Sequence, residues 1–486
     1  MNTKSNGKVQ FSLSNHVASL LLAALLAAAC LPGQVRAQGI EQPLHSFGST
    51  NSVGDGANPH AGLILGADGA LYGTTLSGGT NGMGTVFRIG TNGSGYAPLY
   101  SFTGTNGDGA EPYAGLVQGA DGALYGTTEV GGTNSDGTVF RIGTNGSGYA
   151  VLYSFTGTGG DGLGPLAGLI QGADGALYGT TPRGGTNRWG TAFRIGTNGS
   201  SYAVLYSFTG PNGDGAEPNG LIQGADGALY STTYLGGTIG YGTVFRIGTN
   251  GTGFAVLHSF TGYPGDGDSP AAGLIQGADG VLYGTTDFGG TNAGGTVFRI
   301  GTNGTGYAVL YSFGSTYAFG PGPYKWLVQG ADRALYGTTV FGGTTNGDGD
   351  GTVFRIGTNG SGYAVLYNFT GTGGDGVNPS AGLVQGAAGA FYGTTSGGGN
   401  VSDGTVFRLI PWPVGAGVLQ ISRAAGQGAQ LSFVPPVDAA SAISVSSDLI
   451  NWTLLTNLPA SLGPVYFTDE TSTNFPQRFY RATWTP

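Results

Sequence analysis

The chain has 486 residues, 101 of them glycine and 22 proline; 39% are hydrophobic, 11% aromatic and only 9% charged, with a formal net charge of −9. Glycine at a fifth of the chain excludes long helices, because each interior glycine costs about 1 kcal/mol against alanine. The apolar and aromatic share still supports a core. The acidic balance makes the chain a poor partner for nucleic acid or an anionic membrane surface, and no nucleic acid partner is expected.

In chain order, residues 1–37 read as an export signal. Lys4 and Lys8 precede an apolar run from Val17 to Leu31, and Val35-Arg36-Ala37 offers a small-residue cleavage site before Gln38. An alternative cut before Cys30, after Ala28-Ala29, would make a lipoprotein. The apolar run is too short to span a membrane and no second one follows. Cleavage after Ala37 removes the chain's one cysteine, together with Lys4, Lys8 and Arg36, and takes the formal net charge from −9 to −12. A secreted or cell-surface protein without membrane insertion is expected.

From residue 38 to 410 the sequence repeats. Leu-Tyr-Gly-Thr-Thr or a close variant places tyrosines at 72, 125, 178, 230, 283, 336 and 392, at steps of 53, 53, 53, 52, 53 and 56. Thr-Val-Phe-Arg recurs with Arg88, Arg141, Arg194, Arg246, Arg299, Arg355 and Arg408. The first unit reads as four strands, Gly62–Leu65, Ala70–Thr75, Thr85–Ile89 and Tyr96–Phe102, joined by Gly-Ala-Asp-Gly, a glycine-rich loop and an Asn-Gly turn. Four-stranded meanders of about 53 residues, seven times over, predict an all-β, seven-bladed β-propeller rather than a solenoid. The seventh unit lacks its fourth strand, because Ile410-Pro411-Trp412-Pro413 breaks away, whereas Ile40 to Phe47 form a spare fourth strand ahead of the first unit. Docking that strand into the last blade would close the ring and remove its open edge. Residues 411–486 lose the period and alternate, as in Val418-Leu419-Gln420-Ile421 and Ile443-Ser444-Val445, which predicts a small β-sandwich-like module.

Gly-Leu-Ile-Gln-Gly-Ala-Asp-Gly-Ala-Leu-Tyr-Gly-Thr-Thr and Gly-Gly-Thr-x3-Gly-Thr-Val-Phe-Arg-Ile, across about residues 40–410, resemble the Gloeo-Verruco (GloVer) tandem repeat. That resemblance implies an exported bacterial protein, often with a C-terminal surface-sorting signal and with no established activity. The chain departs from it by ending in Ser447-Asp448-Leu449-x2-Trp452 and Arg478-Phe479-Tyr480-Arg481.

The periodic acids read as structural. Asp68, Asp121, Asp174, Asp226, Asp279 and Asp332 sit in tight turns that an aspartate stabilises through its own backbone, on the same rim as the repeat arginines, with Ala388 in the seventh unit. Gly-Asp-Gly segments in the loop before six of the seven units, all but the sixth, are a second series, and the densest acid pairs, Asp266 with Asp268 and Asp348 with Asp350, are weak calcium candidates. No other cofactor is expected. Asn-Gly-Ser/Thr tripeptides fall where hairpins need Asn-Gly, so turn formation outweighs glycosylation. Neither a Ser-His-Asp order nor a metal cluster emerges.

Variation between units carries more information. In such a meander the loops from strand four to one and from strand two to three share one face, and those loops differ from unit to unit. Arg183, Trp189, Tyr234, Tyr241, Phe288, Phe341, Tyr324 and Trp326 mark a candidate binding face suited to sugar rings or a protein surface. Each of them could instead fill a gap between blades. A monomeric, non-catalytic binding or adhesion protein for polysaccharide or cell-surface protein is the first expectation. A polysaccharide-cleaving enzyme with carboxylates in the central pocket comes second, and a structural envelope protein third.

Overall fold

The computed structural model describes residues 39–48, 54–210, 213–314, 322–323, 325–343, 349–386, 389–411, 420–423, 429–433, 440–447, 453–458, 465–469 and 479–485. No helix occurs among them. Seven antiparallel sheets make the blades of a propeller, each with four strands and the fourth with an added short edge strand, Ala216–Pro218. Blade 1 is Ile64–Leu65, Ala70–Thr75, Thr85–Gly90 and Ala97–Ser101, and blades 2 to 6 repeat it. The innermost strand is shorter than the sequence suggests, two paired residues rather than four, because the glycine before it is given over to the central channel. Short two-residue ribbons, such as Gly56–Ala57 with Ser77–Gly78, cap the loop face of most blades and were not foreseen.

Blade 7 is completed as expected. Gly39–Ser46 pairs antiparallel with Thr405–Pro411, from Gly39↔Pro411 to Ser46↔Thr405. The two halves of this blade thus come from opposite ends of the repeat array, and the ring has no open edge.

The core lies between neighbouring blades rather than within them. At the first boundary Tyr72, Val86 and Phe102 of blade 1 pack on Leu116, Leu124, Phe140 and Ile142 of blade 2, all buried. The same arrangement recurs around the ring, and at the closing boundary Phe47 joins Leu63, Leu71, Phe87 and Val406. Polar bonds stitch the same boundaries. The threonine of each Tyr-Gly-Thr-Thr donates to a backbone carbonyl of the next blade, from Thr74 Oγ1 to Ala114 O at 3.0 Å round to Thr394 Oγ1 to Ala61 O at 2.9 Å. On the opposite face Gln118 Oε1 accepts from Ala67 N at 2.9 Å, and its amide donates to Gly122 O at 3.0 Å. Five further glutamines follow suit, but blade 1 carries Leu65 at that position.

Both periodic acid series serve the architecture. Asp121 accepts from Ala123 N, Tyr125 Oη and Arg141 Nη2 at 3.1, 2.8 and 3.1 Å, and Gly122 takes the φ of 79° that its turn requires. Five such Asp–Arg ion pairs are present, as the shared rim predicts. In the other series Asp108 receives Thr103 N and Oγ1, Gly109 N, Tyr100 Oη and Tyr149 Oη, the two tyrosine rings stacking at 3.7 Å. His45 and His258 replace one tyrosine of this pair, stacking on Tyr96 and Tyr307.

The C-terminal residues form two three-stranded sheets, Gln420–Arg423, Ala429–Phe433 and Val465–Asp469 in one and Ala440–Ser446, Thr453–Leu458 and Phe479–Thr485 in the other. Leu431 and Phe467 of the first meet Ile443, Leu455, Leu458 and Tyr480 of the second, the inner layer of a small sandwich.

Candidate functional site at the channel mouth

The chain enters each blade through Pro-x-Ala-Gly-Leu, and the glycines of six units, Gly62, Gly115, Gly168, Gly220, Gly273 and Gly382, line the channel. They approach closely: a Cβ at Gly62 would stand 3.1 Å from Gly382 O, and one at Gly115 3.1 Å from Gly62 O. In unit six the motif reads Pro323-Tyr324-Lys325-Trp326-Leu327, so Trp326 occupies the seventh glycine position. Its indole crosses the channel, and a Cβ at Gly220 or Gly273 would run into it. Space for the ring comes from unit four, where Pro218-Asn219-Gly220 is one residue shorter, the origin of the 52-residue step. Asn219 Nδ2 repairs the shortened segment by donating to Thr232 Oγ1 at 2.9 Å and Pro270 O at 2.7 Å. Trp326 borders both an apolar cavity of about 270 Å3 beside Leu63, Leu116 and Leu383 and a narrow polar space of about 90 Å3 beside His60, Asn219 and Lys325.

On the loop side the mouth widens into a cavity of about 290 Å3 lined by Tyr113, Glu217, Asn219, Tyr234, Asp287 and Lys325 among others. Asp287 follows the Thr-Thr of blade 5, and its amide donates to Ser269 O at 3.1 Å. The residue is 1% exposed, and neither carboxylate oxygen has a hydrogen-bond partner. Burial pushes its carboxyl well above the usual carboxylate range; the Lys325 ammonium opposes this and Asp268 adds to it. Burial and the neighbouring Asp287 likewise push the Tyr234 phenol up. Lys325 Nζ stands 5.0 Å from the Tyr113 ring centre, and His60 stacks on Tyr113 at 5.2 Å. Burial, seconded by Lys325, holds the His60 imidazole down at about 4, so it is neutral at physiological pH. One blade away Glu129 is raised by burial and Glu111, against the pull of Arg183.

The residues chosen from sequence divide into three places. Tyr234 and Trp326 belong to the mouth and channel. Trp189 and Tyr241 lie farther out at blade boundaries, 37% and 41% exposed, where each covers a glycine of the next loop, Gly210 and Gly262. Ile239 and Tyr263, on the loops next to Tyr241, are also exposed, at 55% and 64%. Arg183 is exposed in a ribbon with Leu163, while Phe288 and Phe341 are half-buried. Tyr324 lies outside the described residues.

Of the calcium candidates, Asp266 has both oxygens engaged, by His258, Thr261, Gly267 and Tyr307, and these donors, working against burial, hold its carboxyl at about 2. Asp268 Oδ1 accepts from Ser269 Oγ at 2.7 Å. Asp350 packs beside Gly371, and Asp348 lies outside the described residues. Among the described residues no three His, Cys, Asp or Glu side chains are grouped to hold a metal ion.

Sequence reasoning passed over His60, Tyr113, Glu217, Asn219 and Lys325 as site residues and left Asp287 among general loop variation. A signal for them existed. The residue after each Thr-Thr runs Leu76, Glu129, Pro182, Tyr234, Asp287, Val340, Ser396, and the residue after each loop proline runs His60, Tyr113, Leu166, Asn219, Ala271, Tyr324, Ser380. Residues from both of these variable columns line the channel mouth.

No curated protein matches the chain. Among solved structures it is similar to a candidate 6-phosphogluconolactonase from Bacteroides fragilis, at 15% identity over 84% of this chain and 98% of that one, with a TM-score of 0.45. An ulvan lyase bound to -[GlcA(1-4)Rha3S]- shares 10% identity over 73% and 94%, TM-score 0.44. YCF48 from Cyanidioschyzon merolae shares 11% over 77% and 98%, TM-score 0.44. A family model matches residues 35–174 and 158–324, more than half of the chain. The chain belongs to the Gloeobacter/Verrucomicrobia repeat family.

Proposed function

We propose that this protein is an exported, non-catalytic recognition protein that binds glycan through the loop face of its propeller. The observation that carries the reading is the concentration of exposed Trp189, Ile239, Tyr241 and Tyr263 on adjoining loops of the face that also holds the polar channel mouth. Flat aromatic side chains offer apolar area to the C–H faces of sugar rings, and the mouth adds directional hydrogen bonds. The leader at residues 1–37 supports export, and the repeat's closed ring suits a monomer. The test is binding of the protein from Gln38 onward to immobilised polysaccharides, with and without calcium. Saturable binding that falls at least tenfold in Trp189→Ala and Tyr241→Ala supports the reading. Absence of binding to any polysaccharide, with the variants folded, shifts the assignment to a protein partner or an envelope scaffold.

A second reading has its own observation. Asp287, whose neutral form burial favours and which lies near Asp268 and Glu217, is the kind of acid that glycoside cleavage employs beside an ionised carboxylate. Release of reducing ends from a bound polysaccharide, abolished in both Asp287→Asn and Glu217→Gln, would establish it.

A further inference from the structure

We infer that the cavity at the channel mouth is a blind sugar subsite that takes the terminal unit of a neutral glycan chain, with Asp287 bonding adjacent ring hydroxyls. The inference rests on the glycan reading above and assigns it a pocket. Four features lead to it.

The cavity is closed below. Six glycines would leave the channel open, and Trp326, seated in the space that the shortened unit four provides, blocks it. A ligand entering from the loop face therefore ends there, and a chain cannot thread through. The volume, about 290 Å3, lies at the bottom of the range of roughly 300–1,000 Å3 for small-molecule pockets, so it suits one sugar unit rather than a longer segment.

The wall contains an unmet demand. Asp287 is buried with two unpartnered oxygens in a fold where periodic aspartates such as Asp121 are engaged by several protein donors. An unsatisfied buried carboxyl costs roughly 1–3 kcal/mol or more, and at Asp287 both oxygens lack a partner beside an open cavity. Vicinal hydroxyls present donor and acceptor atoms at the spacing of one carboxyl group, and they are what this group lacks.

The charge balance selects a neutral ligand. Burial disfavours the ionised form of Asp287, and the rest of the lining holds one cation, Lys325, and one further acid, Glu217. An ionised ligand would introduce an unpaired charge into a half-buried space. Tyr234, half-buried at the rim, supplies the apolar wall for a ring face.

The experiment measures binding of glucose, galactose, mannose and xylose by saturation-transfer NMR and calorimetry. It uses the protein from Gln38 onward and four variants: Asp287→Val, Lys325→Gln, Tyr234→Ala and Trp189→Ala. Expected is saturable binding of at least one monosaccharide, weakened at least tenfold by Asp287→Val. Lys325→Gln, at a half-exposed position, reports on the pocket independently of any folding defect at 287. A polymer of the bound sugar should displace it in proportion to its number of chain ends. Displacement in proportion to polymer mass overturns the blind-end assignment. Polysaccharide binding that is lost in Trp189→Ala, with no monosaccharide bound, overturns the pocket while the recognition reading stands. Failure of monosaccharides and polysaccharides alike overturns both.

Discussion

Replacing Asp287 by valine, the type found at the equivalent Val340 of blade 6, should make the protein more stable. Asp287 is 1% exposed and neither oxygen is hydrogen-bonded, so the folded state carries most of the desolvation cost of a carboxyl group. Removing an unsatisfied buried polar group is worth roughly 1–3 kcal/mol. For a propeller of about 370 residues the unfolding entropy is near 0.8 kcal/mol/K, which converts that gain to a Tm rise of about 1–4 °C. The gain should depend on pH in a defined sense. Burial raises the folded-state pKa well above 3.8, so in a window that opens near pH 4 the unfolded chain releases a proton that the folded chain retains. Wild-type stability therefore declines with rising pH relative to the variant, and the Tm gap widens across that window. At pH 3.5 both states are largely protonated and only the hydrogen-bond part of the gain remains. Calorimetry of both proteins at pH 3.5, 5, 6.5 and 8 tests this. A variant that is less stable at every pH, or a gap that is flat with pH, would refute the claim that this carboxyl is buried without a partner.

Other perturbations probe separate parts of the ring. Glu41 sits in the closing strand with an unpartnered Oε1, and burial, reinforced by Asp375, pushes its carboxyl up to about 8; Glu41→Gln should raise Tm progressively from pH 5 to 8, and an equal gain at pH 4 would contradict that origin. Phe47→Ala, at 0% exposure between blades 7 and 1, should cost about 3–5 kcal/mol in denaturant unfolding, whereas a loss below 1 kcal/mol would mean the closing strand contributes little. Trp326→Gly should lower stability by about 1–3 kcal/mol, since the indole is half-buried, and join the two channel cavities in a crystal structure. Arg141→Ala should cost under about 1 kcal/mol because the ion pair is over a third exposed, and Asp121→Ala should cost more because it also loses bonds from Ala123 N and Tyr125 Oη; the reverse order would overturn the structural role given to the turn aspartates.

The architecture was readable because each feature of it repeats. Seven tyrosines at near-constant spacing and one displaced Leu-x-Ser-Phe segment specify both the blade count and the closing strand, and the pairing of Ser46 with Thr405 agrees with that reading. The turn aspartates were readable for the same reason, a carboxyl beside its own turn amides and a cross-strand arginine. The site was not, because it consists of departures from the repeat, which register only after the units are aligned to the residue. Trp326 illustrates the difficulty. The altered loop ahead of unit six disguises it as a loop aromatic, although it stands in the channel-lining glycine position just before the innermost strand. Its partner change, the residue missing before Gly220, lies two blades away and about 106 residues earlier, and only the closed ring brings the two together. Asp287 was one acid among 26, and burial without a partner has no signature in sequence.

The pairing of Gly39–Ser46 with Thr405–Pro411 also sets an order of events during synthesis. Blades 1 to 6 each consist of consecutive residues and can form as soon as their own segment is available, each giving the next a surface to pack on. The closing strand is made first and must wait for partners about 360 residues downstream. At translation rates of roughly 5–20 residues per second that delay is about 20–70 s. Throughout it the first strand is unpaired and the growing blade stack keeps two open sheet edges. The last native contact to form is then the one with the greatest sequence separation, so ring closure, rather than blade formation, is the slow and aggregation-exposed step.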